Sequence, residues 1–237
     1  MNVSTPIARS LASAGAIGAI TLSLSSTVLA QGNSNKPPAA TTPAVSLDAA
    51  KPNPVVFSTV TTLSGRVTAP SNAPVEIRFE EDTTRPYGDS YKMTALRATT
   101  KSNGMYSLAV KPAVNTQYRA IAQLSPPVRS TPRLVLVRTL VGLKLSDSTP
   151  RRGSLVTFSG SVYPAHDGQR ALIQRRSPSG RFLTIARPLL RDAGTTRSAY
   201  SRRIRLFRDG AYRVKVVGDA DHVNGFSRTR AINVATG

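Results

Sequence analysis

The chain has 237 residues, with 32 Lys and Arg against 12 Asp and Glu, a formal net charge of +20, and neither cysteine nor tryptophan. Lack of cysteine excludes disulfides, thiol catalysis and thiolate metal sites. Thin aromatic content, 7 Tyr and 6 Phe, argues against sugar sites that stack on exposed rings.

Residues 1–30 read as a signal peptide. Arg9 supplies a positive n-region, Leu11 to Leu29 carries no charge, and Val28-Leu29-Ala30 precedes Gln31 with the compact residues a signal peptidase needs. Serines and threonines interrupt the apolar run, whereas a spanning anchor needs ~20 predominantly apolar residues. The mature chain is expected to begin at Gln31, to lack a transmembrane segment, and to be secreted or associated with the cell envelope. Residues 31–42, QGNSNKPPAATT, are polar, Pro-rich and without apolar periodicity, which predicts a flexible linker.

Beyond Thr42 the sequence repeats. Leu63-Ser64-Gly65-Arg66-Val67 returns as Phe158-Ser159-Gly160-Ser161-Val162, Tyr106-Ser107 as Tyr200-Ser201, Tyr118-Arg119-Ala120 as Tyr212-Arg213-Val214, and Ser130 as Ser227, at offsets of 95, 94, 94 and 97. A period near 100 is a whole domain rather than a solenoid unit, so two homologous domains are expected, 43–138 and 139–237. Short apolar alternations separated by Gly, Pro, Asn, Asp and Ser clusters predict an all-β architecture. In the first copy Leu63, Gly65 and Val67 share a face, as do Val75, Ile77 and Phe79, and Tyr106, Leu108 and Val110. The second copy predicts strands near 141–145, 155–163, 170–176, 182–186, 199–206, 212–217 and 228–234, the seven-strand count of an immunoglobulin-type sandwich.

VTFSGSVYP, ALIQRR, DGAYRVKVVGD and FSRTRAINV in the second copy resemble the tandem Ig-like or fibronectin-III-like domains of secreted bacterial proteins. The first copy also resembles the carboxypeptidase-regulatory-like (transthyretin-like) sandwich through SGRVTAP and TTKSNGMYSL. The Ig-like resemblance implies two tandem sandwiches and a tyrosine corner at Tyr118 and Tyr212, whose hydroxyls would bond the backbone. Both folds are binding or spacer scaffolds without inherent chemistry.

Catalytic constellations are not apparent, and no enzyme, cofactor or metal site is assigned. His166, in Pro164-Ala165-His166-Asp167-Gly168, reads as a solvated turn residue. Asp219, Asp221 and His222 are of types that suit a cation, but their spacing reads first as a polar loop. Glu80-Glu81-Asp82 are consecutive on a strand, so neighbouring side chains point apart instead of pairing as acid and base.

Charge is the one signal with a functional direction. Residues 43–138 carry 12 basic and 6 acidic side chains, while 139–237 carry 18 and 6. Strand parity turns Arg170, Arg176, Arg213 and Lys215 outward on one sheet of the second copy and Arg203 and Arg205 outward on the other. The corresponding first-copy positions, Glu76, Arg78, Arg119 and Ile121, are nearly neutral. Tyrosines fall mostly inward, so aromatic interleaving is not expected. The expected function is a non-catalytic exported protein whose basic second domain adheres to anionic envelope polymers, with nucleic acid bound only non-specifically. The alternatives are a spacer or protein-interaction module with incidental charge, and, less favoured, an accessory carbohydrate-binding protein.

Overall fold

The computed structural model describes residues 41–71 and 73–235. The expected signal peptide, its expected cleavage site and residues 31–40 of the expected linker lie outside the described residues. The described residues form one compact unit with two apolar cores, one around Leu47, Leu63, Phe79 and Tyr106 and one around Phe158, Ile173, Leu190 and Tyr212. Among the described residues every regular element is a strand, and no helix is long and apolar enough to cross a membrane.

The first sandwich comprises β1 (Ala44–Val45), β2 (Val55–Val56), β3 (Thr61–Thr68), β4 (Glu76–Asp82), β5 (Lys92–Thr99), β6 (Met105–Val110), β7 (Thr116–Ala122), β8 (Val128–Arg129), β9 (Arg133–Val135) and β10 (Val137–Arg138). The second comprises β11 (Leu140–Val141), β12 (Lys144–Leu145), β13 (Leu155–Tyr163), β14 (Ala171–Arg176), β15 (Phe182–Ala186), β16 (Arg191–Asp192), β17 (Ser198–Arg205), β18 (Gly210–Val216), β19 (Gly225–Phe226) and β20 (Arg230–Ile232). One sheet runs β1-β3-β6 in the first copy and β11-β13-β17-β16 in the second, with β12 also on β13. The other runs β5-β4-β7 and β15-β14-β18, with β8 and β9, or β19 and β20, along the last strand. This is the immunoglobulin-type order, in which the first, second and fifth strands face the third, sixth and seventh. A parallel pairing of β2 with β10 is echoed by the parallel bridge Arg151–Ala235.

The repeat extends to hydrogen-bond register. Ile77 pairs with Ala122 and Glu80 with Arg119; 94 residues later, Ala171 pairs with Val216 and Gln174 with Arg213. The anchor residues have local causes. A side chain at Gly65 or Gly160 would collide with the facing tyrosine hydroxyl and with the first strand's backbone. Those tyrosines are Tyr106, which donates to Ser46 O, and Tyr200, which donates to Gly142 O at 2.7 Å. Tyr118 and Tyr212 are buried as expected, but the hydroxyl-to-backbone bonds foreseen for them belong to Tyr106 and Tyr200, which reach across the sheet through the space that the glycines leave. Ser227 Oγ accepts from Val214 N at 2.9 Å and donates to Arg228 O at 3.0 Å, so a hydroxyl takes over a ladder position between β19 and β20. Ser130 does the same at Ala120 N and Thr131 O. Drift of the offset from 94 to 97 lies in one loop: residues 217–224 join β18 to β19 where 123–127 join β7 to β8, three residues more.

Candidate functional site

The outer face of the sheet β15-β14-β18-β19 carries Arg213 and Lys215. Gln174 and Arg213 are cross-strand partners, as are Leu172 and Lys215, so alternation places all four on one face. Arg213 Nε donates to Gln174 Oε1 at 2.9 Å. Its guanidinium lies 3.8 Å from the ring centroid of Phe182 and 4.5 Å from that of Phe226, with Lys215 Nζ 5.9 Å from the latter. A cation held between two rings gains about 0.5 to 2 kcal/mol per contact, depending on desolvation. Burial pushes the Arg213 pKa below its ordinary value. Two phenylalanines thus interleave with the cations where the tyrosines suggested no aromatics; the face is amphipathic and not purely ionic. Beyond Phe226 it leads into a groove lined by Arg138, Arg228 and Arg230, residues that strand parity did not single out.

The first copy builds the same device and neutralises it. Arg119 lies 3.9 Å over the ring of Tyr91, but its cross-strand partner is Glu80, which pairs with it and with Arg129 at 3.8 Å. Glu76 holds Arg78 at 3.1 Å and Arg97 at 3.2 Å. Glu80 corresponds to Gln174, an acceptor of similar reach that carries no charge. Asp82, opposite Arg176 in the repeat, is buried and accepts from the amides of Thr84, Gly88 and Ser90. Burial raises its pKa, but these hydrogen bonds outweigh burial and hold it below the usual carboxylate range.

The remaining predicted cations disperse. Arg176 is exposed at the end of β14, with Nε 3.4 Å from Gly180 O. Arg170 lies just before β14 and donates to Arg187 O at 3.0 Å. Arg203 and Arg205 are exposed on β17 in the opposite sheet, so the six residues do not form one patch. Arg205 donates to Gly153 O at 2.7 Å. Arg202, whose parity is inward opposite Phe158, is also exposed.

His166 departs most from expectation. It is only 6 % exposed, because its loop folds beneath the 217–224 loop: its amide donates to Ser198 Oγ at 2.7 Å and its ring lies 5.3 Å from that of His222. Asp219 sits between the two rings, whereas Asp221 contributes its carbonyl oxygen to Asn115 N at 2.7 Å.

No protein-family description matches the chain, and no curated protein matches it in sequence. Among solved structures it is similar to the ectodomain of a teleost fish polymeric Ig receptor, at 12 % identity and a TM-score of 0.33, covering 81 % of this chain and 98 % of that one. Bovine butyrophilin gives 9 % identity and a TM-score of 0.36, covering 81 % and 99 %. The fold assignment rests on the strand order described above.

Proposed function

We propose that the protein is a non-catalytic, exported binding module of the cell envelope or extracellular space that adheres to anionic polymers through the β15-β14-β18-β19 face. The observation that carries this reading is that Gln174 stands opposite Arg213 where Glu80 stands opposite the equivalent Arg119. It leaves Arg213 hydrogen-bonded and stacked but without a counter-charge, on the same face as Lys215. The non-catalytic reading is supported by the roles of Glu80 and Asp82, one engaged by two arginines and the other by three amides.

Duplex DNA is a convenient probe of the electrostatic component, since each phosphate neutralised contributes about −0.9 to the slope of log affinity against log salt. In the full chain, replacing Arg170, Arg176, Arg213 and Lys215 together with Gln is expected to flatten that slope by roughly two to four units. An unchanged slope in a folded quadruple variant leaves the face as a solubilising surface and favours the spacer reading.

A further inference from the structure

The loop 217–224, three residues longer than its first-copy counterpart, brings two side chains to the junction of the sandwiches, where a third meets them. Asp219 Oδ2 lies 3.1 Å from His166 Nε2 and Asp219 Oδ1 lies 3.3 Å from His222 Nδ1. The donor atoms of the three residues fall within 4.8 Å of one another.

Hydrogen bonds at the far side of each ring fix the tautomers. His166 Nδ1 faces Pro164 O at 2.8 Å, and His222 Nε2 faces Ala113 O of the first sandwich at 3.0 Å. A carbonyl only accepts, so both of these nitrogens carry the hydrogen. In the neutral rings, His166 Nε2 and His222 Nδ1 therefore present lone pairs to a carboxylate that also only accepts. In that neutral ring the fully buried His166 Nε2 faces only the acceptor Asp219 Oδ2 and so has no hydrogen-bond partner, a costly arrangement. Asp219 Oδ1 is itself held by the amides of Asp221 at 2.9 Å and His222 at 2.7 Å.

From this convergence we infer that His166, Asp219 and His222 bind a divalent transition ion of the zinc class. Two imidazoles and one carboxylate are borderline-soft ligands of the type such ions take, with a position left for water. Bonds of ~2.0 to 2.2 Å in a tetrahedron separate ligand atoms by roughly 3.3 to 3.6 Å, near the 3.1 Å between Asp219 Oδ2 and His166 Nε2. The backbone carbonyls of Pro164 and Ala113 supply the outer support that orients metal-bound histidines. Ala113 belongs to the first sandwich, and the same loop makes the bonds Asn115 N to Asp221 O and Val223 N to Val137 O. An ion at His222 therefore fixes the loop that carries these hydrogen bonds between the two sandwiches. This inference is independent of the polyanion reading.

The test uses the full chain without a histidine tag, stripped with a chelator and titrated with Zn2+, with Co2+ as a spectroscopic probe. One ion per chain, a tetrahedral Co2+ absorption band and a higher unfolding temperature with Zn2+ are expected. His222→Gln should weaken Zn2+ by more than the roughly 10- to 100-fold that loss of an outer partner costs. Asp219→Asn keeps an acceptor for the two amides while losing the anionic ligand, so it weakens Zn2+ in a chain that remains folded. Asp221→Asn should bind as the parent does. Failure of the folded parent to bind either ion saturably, or equal affinity in Asp219→Asn and the parent, overturns the assignment.

Discussion

Adding one methyl group at Gly160 should destabilise the second sandwich by about 3 kcal/mol, the upper part of the range for overpacking a tight site. A Cβ at this position would lie 2.8 Å from the carbonyl carbon of Gly142 and 2.9 Å from the hydroxyl of Tyr200. The first obstacle is the backbone of the strand paired with β13, which cannot rotate away. Displacing it also strains the Tyr200–Gly142 bond, a contact of about 1 kcal/mol. With a urea dependence of about 2 kcal/mol per molar, Gly160→Ala should lower the unfolding midpoint by about 1.5 M at constant slope. Adding Tyr200→Phe removes the hydroxyl but not the backbone clash, so the double variant should stay as unstable or become more so. A midpoint within about 0.3 M of the parent, or rescue by Tyr200→Phe, would refute the view that the paired glycines exist to admit the neighbouring backbone.

Ser227→Ala should cost about 1 to 3 kcal/mol, because it leaves the buried Val214 amide without an acceptor; Ser227→Thr, which retains the hydroxyl, should recover most of that loss in urea titrations. Alkaline conditions should unfold both sandwiches. Burial raises the phenol pKa of Tyr106 and Tyr200 well above the ordinary value, and that of Tyr118 up to about 12. Folded values above unfolded ones mean that this stabilisation is complete below about pH 10 and lost as pH rises beyond it, so unfolding midpoints measured from pH 9 to 12 should fall while ionised-tyrosine absorbance rises. Mass spectrometry of the exported chain should find Gln31 at its N-terminus; an intact Met1 in a membrane fraction would contradict cleavage.

Strand content was largely legible because period-2 alternation and a 94- to 95-residue spacing reinforced each other: Phe158, Val162, Ile173, Tyr212 and Val214 are buried as their parity requires. The predicted strands 155–163 and 182–186 have the observed bounds. The predicted strand 141–145 is split at Gly142-Leu143, where Gly142 O turns to accept from Tyr200. Alternation could not reveal the neutralised and uncompensated versions of one arginine site, since Glu80 and Gln174 gain meaning only once each is paired across strands with Arg119 and Arg213. Phe182 and Phe226 were missed for a related reason: they reach Arg213 from two different strands. His166 looked like a turn residue because its partners Asp219 and His222 lie 53 and 56 residues away, and nothing in local spacing announces a contact between two loops.

In the proposed polyanion-binding face, Arg213 has the uncharged Gln174 opposite it where Arg119 of the first copy has Glu80. The most direct measurement is the salt dependence of duplex DNA binding by the full chain and by Gln174→Glu, which restores the first-copy arrangement with a single charge. The introduced carboxylate should engage Arg213 as Glu80 engages Arg119, lowering affinity at all salt concentrations and reducing the slope of log affinity against log salt by about 0.9. Affinity and slope equal to those of the parent would show that Arg213 takes no part in binding and that this face is not a polyanion site.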